Sequence, residues 1–340
     1  MEIMKYRSSS NLYINGNYIV KTARYGSSFF GLWKRALRIG EDLKSEFPDS
    51  IDLKISNRCS HGCPFCHESS IKNGKILDLD KTKEILSQLP TKPIEIAIGG
   101  GNVLECLDET EDILDWLNKR GYQTRITITF NDLKSTGSKK LDEKITNILY
   151  GVGGLGISIT SLKSTGIDLS ILEKNGNFFP FKGDLLNYTD LGKNLSLGPQ
   201  IVYHVIAGIT PLDDIKWLIK NTNSSILILG FKQWGRSKDS DIPDLSKLKE
   251  YLKDLIQSPE NSDLSTIGFD NLAIEQLDVK NIIGDNSWKE IYLGDEGSCS
   301  MYIDAVKGEF ARTSRSPERI SWDNIKLLDY YASLSTKREI

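Results

Sequence analysis

The sequence predicts an α/β protein built from repeated strand–helix units, and three observations carry that expectation. Short runs rich in Ile, Val, Leu and Thr recur along the chain, segments with helical periodicity fall between them, and several runs are apolar at consecutive positions, as in parallel strands buried on both faces. Six strands are predicted, at 51–56, 94–98, 125–130, 155–160, 201–206 and 225–229. A helix over 80–89 places Ile85, Leu86 and Leu89 on one face and stops at Pro90. A second over 110–120 presents Ile113, Leu114 and Leu117 and ends at Gly121, a C-terminal cap. A third occupies 141–150, and a fourth over 211–220 has Pro211 at its first position and Thr210 as its cap. The last spans 244–256. Units of this kind close into a barrel or form a doubly wound sheet. In a barrel the site forms at the C-terminal ends of the strands.

Three regions depart from the repeat. Residues 1–50 form an N-terminal extension to the repeat at 51–265. Within the repeat, 161–198 is rich in Gly and Asn, contains FFPF at 178–181, and reads as an insertion or lid. Residues 266–340 form a small α+β segment, with a hairpin of 301–306 and 309–313 around Lys307-Gly308 and a terminal helix.

At 340 residues the chain is long enough for one large α/β barrel or two ordinary domains. Its 39% hydrophobic and 26% charged residues exclude wholesale disorder. A net charge of -3 provides no strong global field toward nucleic acid or anionic lipid. No apolar run of about 18 residues is present, and the first residues lack the apolar core of a signal peptide, so a cytoplasmic protein is expected. There is no P-loop, H-E-x-x-H or G-x-S-x-G motif, and three histidines are too few for a histidine-rich metal centre.

The five cysteines are the informative residues. Their number is odd, and Cys59, Cys63 and Cys66 fall within eight residues, which argues against a disulfide scaffold and for metal ligands or catalytic groups. The spacing is C-x3-C-x2-C, directly after the first predicted strand. Three thiolates leave one iron of a [4Fe–4S] cube open to a chelating small molecule, such as the amino and carboxylate groups of a methionine. An electron passed to an adjacent sulfonium then breaks a C–S bond and yields a radical able to abstract hydrogen.

With the aromatic Phe65 just before the third cysteine, this motif resembles the radical S-adenosylmethionine (SAM) superfamily, over roughly residues 51–235. The resemblance implies a partial (βα)6 TIM-like barrel, one [4Fe–4S] cluster on Cys59, Cys63 and Cys66, bound SAM, and an external flavodoxin- or ferredoxin-type electron donor. It places Phe65 near the adenine. It assigns Gly99, Gly100, Gly101 and Asn102 to the glycine-rich turn that contacts the methionine amino group. Asn102 stands where an acid is expected, so an amide oxygen or backbone carbonyls would take that role; Glu105 is a further candidate. Asn131, Ser158 and Thr160 match polar positions facing the ribose or carboxylate. Gly208 lies in the segment that frames the adenine, and residues 230–236 face substrate. Peptides, nucleosides and small metabolites all remain open as substrates.

Two other readings stand beside this one. One is an activase-type radical SAM protein acting on a partner protein. The other is a zinc-stabilised, non-catalytic binding module, with the three cysteines plus His61 or His67 as a Cys3His site. Cys106 and Cys299 read as buried, inert thiols, so only one cluster is expected. His67 reads as a loop residue, His204 as a satisfied core histidine, Trp234 and 178–181 as packing, and Asp270 as the cap of a following helix.

Overall fold

Two sheets divide the strands of the computed structural model, which describes residues 8–25, 28–37, 44–134, 136–163, 200–222, 225–257, 266–292 and 294–336. The predicted insertion falls outside these residues from 164 onward, FFPF included. The smaller sheet is antiparallel: β1 (Ser8–Asn15), β2 (Tyr18–Tyr25) and β3 (Ser28–Ala36), in that order. The larger begins with the predicted repeat: β4 (Ser50–Ser56), α1 (Leu79–Leu86), β5 (Glu95–Gly100), α2 (Leu107–Lys119), β6 (Gln123–Thr129), α3 (Lys139–Tyr150) and β7 (Gly154–Ile159). It continues with β8 (Gln200–Ile206), α4 (Leu212–Asn221), β9 (Ser225–Leu229), α5 (Ser246–Gln257) and β10 (Ile267–Phe269). After α6 (Asn271–Leu277), α7 (Val279–Ile283) and α8 (Asp285–Ile291) come β11 (Ser300–Asp304), β12 (Glu309–Ala311), β13 (Ile320–Ser321) and α9 (Leu327–Thr336).

From β4 to β10 every strand pairs in parallel with its predecessor in the chain. A doubly wound sheet would reverse its strand order partway; this one does not, and right-handed crossovers in one direction put all their helices on one face. That is the winding of a barrel. No ladder joins β10 to β13 among the described residues, consistent with a partial barrel. The C-terminal hairpin extends this sheet: β11 pairs in parallel with β4, then antiparallel with β12, which pairs with β13.

Burial alternates along the strands. In β5, Ile96 and Ile98 are buried while Glu95, Ala97 and Gly99 are half-buried; in β6, Ile126 and Ile128 alternate with Arg125, Thr127 and Thr129 in the same way. Ile113, Leu114 and Leu117 of α2 join the buried isoleucines in one apolar core. The expectation of several strands apolar on both faces therefore holds in β8 and β9, where Val202, Ile206, Leu227 and Leu229 occupy the half-buried face, but not in β5 and β6, where that face carries Glu95, Arg125, Thr127 and Thr129. Thr210 is also reassigned. Pro211 is the N-cap of α4, while the Thr210 hydroxyl donates to Ile159 O at 2.7 Å and accepts from Ile206 N at 3.0 Å, tying β7 to β8. Asp270 does cap α6, accepting from Ala273 N at 2.7 Å.

The small sheet is latched to the base of the large one. Asn15 Nδ2 donates to Phe47 O at 2.8 Å and to Asp49 Oδ1 at 2.7 Å, and the Tyr18 hydroxyl donates to Asp49 Oδ2 at 2.5 Å. Burial and the Asp49 carboxylate push the Tyr18 phenol up, so it remains a donor. Asp49 immediately precedes β4, and its N–H reaches Cys299 O ahead of β11.

Ile98, only 1% exposed, sits in the middle of the dry face. Ile98→Ala should cost about 2–5 kcal/mol in urea-induced unfolding, the range for deleting a large core side chain that neighbours cannot replace.

Candidate metal centre and cofactor site

The cysteines lie on the loop that leaves the C-terminal end of β4, and the Gly99–Asn102 turn fixes where that loop starts. Gly101 N–H donates to Ser56 O at 2.6 Å and Asn102 N–H to Arg58 O at 2.7 Å. A Cβ on Gly100 would lie 2.4 Å from Ser56 O, and one on Gly101 would lie 2.1 Å from Arg58 O. Gly100 also holds φ at +116°, a conformation open to glycine alone. These two glycines therefore serve backbone packing. Gly99 differs, because a Cβ there would meet nothing within 4 Å and faces open space.

The rest of the loop is held by contacts from two other elements. Glu105 Oε1 accepts from Ser60 N at 2.8 Å and from Ser60 Oγ at 2.7 Å. Arg236, after β9, donates from Nε to Cys63 O at 2.8 Å, from its second guanidinium nitrogen to Ser70 O at 2.7 Å, and from its backbone N–H to Cys66 O at 3.0 Å. Gly235 packs so closely that a Cβ would lie 2.3 Å from His67 O. The loop at 230–236 thus grips the cysteine loop directly. Trp234, expected to pack, is 45% exposed.

Cys59, Cys63 and Cys66 are unbridged and half-buried. Burial pushes the Cys59 thiol up, against a backbone N–H from His61, and Glu105 with the other two cysteines adds to the rise. Burial and Cys66 push Cys63 up likewise. Cys59 and Cys63 therefore ionise more readily against a compensating cation, as metal-bound thiolates do. Cys106 and Cys299 are buried elsewhere, with Cys106 Sγ against Val103 O and Thr110.

A polar network adjoins the loop. His61 Nε2 lies 3.1 Å from Asp132 Oδ1 and 3.1 Å from Asn102 Nδ2, which itself donates to Asp132 Oδ1 at 2.9 Å. Asp132 Oδ2 accepts from Thr129 N and Oγ1, both at 2.8 Å. The hydrogen bond to Asp132 raises the His61 pKa despite burial. Burial opposes ionisation of Asp132, but His61 and the Thr129 donors outweigh it and hold the carboxyl below its ordinary range. The Asn102 amide oxygen caps the following turn by accepting from Leu104 N at 3.0 Å.

The remaining sequence candidates are dispersed around the strand ends. Phe65 is half-buried within the cysteine loop, and Ser158 is half-buried in β7 between Thr129 and His204 in register. Asn131 and Thr160 are exposed, and Gly208, at φ +77°, packs under Pro243. His204 faces the interior over Gly156, and burial lowers its pKa to about 4. Sequence reasoning missed Asp132 and Arg236. The pattern Thr129-x-x-Asp132 is a capping box and carried a usable signal. Arg236 had none, since its partners lie more than 160 residues away.

Below this rim the interior is charged. Lys54 pairs with Glu68 at 2.5 Å and Asp304 at 3.2 Å, and Arg125 with Glu95 at 3.1 Å. Asp52 extends into this space. Enclosure pushes its pKa up to about 6, against the pull of Lys232, with Glu296, Glu95 and Asp270 adding to the rise. Burial, then Lys232, lowers His67 to about 4.

Comparison with known proteins now gives the class. Residues 53–177 match the family model of the Radical SAM superfamily. The fold is similar to Streptococcus suis SuiB bound to precursor peptide SuiA, at 16% identity and a TM-score of 0.57, over 87% of this chain and 68% of that one. It is also similar to SuiB bound to S-adenosylmethionine, at 16% identity and a TM-score of 0.51, over 85% and 66% of the two chains. No curated protein matches the sequence. The chain thus carries a radical SAM domain over residues 53–177, with the C-x3-C-x2-C motif inside it. Among the described residues, no helix is long and apolar enough to cross a membrane.

Two outcomes check this geometry. Arg236→Ala should speed amide hydrogen exchange over residues 63–70 and cost about 1–3 kcal/mol, as for charge-assisted hydrogen bonds lost from a loop. Asp52 has a folded-state pKa above its ordinary 3.8, so its ionisation opposes folding. Wild-type stability should therefore fall relative to Asp52→Asn as pH rises from about 4 to about 6, and the gap should hold above that window in chemical denaturation.

Proposed function

We propose that the protein is a radical SAM enzyme holding one [4Fe–4S] cluster on Cys59, Cys63 and Cys66, binding SAM beside it, and abstracting hydrogen from a substrate in the polar interior. The observation that carries this reading is the three-thiol loop, seated at the C-terminal end of β4 within a domain that matches the superfamily. The donor set suits the group, because three half-buried, unbridged thiols on one loop supply three corners of a cube and leave the fourth open. When bound, a reduced cluster with an open iron supplies the electron that cleaves the SAM sulfonium to a 5′-deoxyadenosyl radical.

The chain's own residues position and shield. Glu105 and Arg236 hold the loop from opposite ends, and Gly100 and Gly101 bring the cofactor turn against it. Asp132 supplies the negative charge for the methionine amino group. The superfamily places that charge in the glycine turn, but here the turn carries Asn102, and the Asp132 carboxylate lies 2.9 Å from the Asn102 amide nitrogen. Gly99 leaves room for close approach, and Phe65, Ser158, Asn131 and Gly208 complete the shell. Cys106 and Cys299 belong to separate buried environments, which supports a single cluster. Residues 51–265 are the catalytic unit, braced by 1–50 and extended by 266–340. A low-potential flavodoxin or ferredoxin supplies electrons in the cytoplasm. Peptides are the first substrate class to test, given the similarity to a fold that holds a precursor peptide.

Anaerobically reconstituted protein should be brown, bind about four irons per chain and release 5′-deoxyadenosine from SAM on reduction. Cys63→Ala should lose the colour and the product together; full activity in that variant contradicts the reading. Asp132→Asn should keep its iron yet bind SAM about tenfold more weakly or worse in anaerobic equilibrium binding, the worth of a charge-assisted hydrogen bond.

A further inference from the structure

We infer that the chain, before any cluster is built on it, holds a single divalent cation of the zinc or ferrous class on Cys59, His61 and Glu105. The sulfur, an imidazole nitrogen and a carboxylate oxygen of these residues lie within 4.8 Å of one another. Around one ion with bonds of about 2.0–2.3 Å the same atoms stand about 3–4 Å apart, so modest side-chain rotations close the gap. Neither Cys63 nor Cys66 belongs to this group among the described residues. The site thus shares only Cys59 with the cluster proposed above and requires no SAM.

The surroundings already orient two of the ligands. His61 Nε2–H donates to Asp132 Oδ1 at 3.1 Å, with Asn102 Nδ2 and Thr129 Oγ1 beside it, which leaves Nδ1 for a metal. A carboxylate on the far nitrogen is the usual support of a metal-binding histidine. Glu105 Oε1 is held by Ser60 N–H and Oγ–H, leaving Oε2 to coordinate.

Donor chemistry narrows the ion. One sulfur and one imidazole select against calcium and magnesium and suit zinc, ferrous iron or cobalt. Binding releases the Cys59 proton to solvent, and the thiolate and the Glu105 carboxylate then balance the two positive charges. Three protein ligands leave a fourth position for water. Because Cys59 serves both sites, an ion held here and a cluster on the cysteine triad exclude each other. A zinc-loaded chain should resist cluster reconstitution until the zinc is chelated.

The test is an anaerobic titration of the cluster-free, full-length chain with Co2+, read by absorption and competed with Zn2+. One cobalt per chain is expected, with a sulfur-to-cobalt charge-transfer band. His61→Ala and Glu105→Gln should each weaken binding tenfold or more, and Asp132→Asn by about tenfold. The double variant Cys63→Ala/Cys66→Ala should keep the cobalt spectrum while losing the iron–sulfur chromophore, which separates failure of this site from failure of the cluster reading. Far-ultraviolet circular dichroism confirms that each variant is folded. Absence of stoichiometric cobalt binding, indifference to His61→Ala and Glu105→Gln, or loss of the cobalt spectrum in the double variant overturns the inference.

Discussion

The close seating of one backbone turn on another governs this site. Gly100 and Gly101 lie so near Ser56 O and Arg58 O that no side chain fits between them, and the two hydrogen bonds made there fix the exit of the cysteine loop from β4. Everything that follows in the loop inherits its direction from that contact. Glu105, one turn beyond the glycines, then reaches Ser60, so the same short segment sets both the start of the loop and its first cysteine. Arg236 completes the frame from the far side of the sheet, using three donors on three carbonyl oxygens. A parallel array whose strands all end at one rim makes such convergence possible, since residues distant in sequence arrive at neighbouring strand ends.

Polarity divides the large sheet into two surfaces with different tasks. The helix-facing side is apolar and supplies stability. The interior carries Asp52, Glu95, Arg125, Lys54, Glu68 and Lys232, an arrangement too rich in charge for a stability core. Several of these charges are paired, but enclosure and like-charged neighbours raise the Asp52 pKa to about 6. Perturbed groups lining an enclosed space mark functional ground in many folds. Here they lie directly beneath the rim that carries the cysteines.

Much of this architecture was legible in the sequence, and the exceptions have physical causes. All six predicted strands are present because runs such as Ile94–Ile98 combine β-branched residues with flanking turns. The βα repeat alone left barrel and doubly wound sheet open, since it does not reveal strand order; the resemblance carried by the cysteine motif pointed to the partial barrel. The polar stretch of the inner face in β5 and β6 was not legible because threonines such as Thr127 and Thr129 are ordinary strand residues on either face. Thr210 and Pro211 formed a plausible helix start, yet tertiary hydrogen bonding to Ile159 and Ile206 took the threonine. At the site, the cysteine spacing and the glycine turn could be read locally. Arg236 could not, because its role exists only once β4 and β9 face each other across the fold. Asn102 seemed to leave the turn without an acid, and Asp132, from another strand end, brings a carboxylate against it.

The central claim concerns one cube of iron held at three corners by this loop. Mössbauer spectroscopy of protein reconstituted with 57Fe, recorded with and without SAM, tests it most directly. Three irons should remain alike while the fourth acquires a distinct signature on SAM addition, as expected for a site with three thiolates and one exchangeable position. Four equivalent irons indifferent to SAM, or only mononuclear iron, would contradict it.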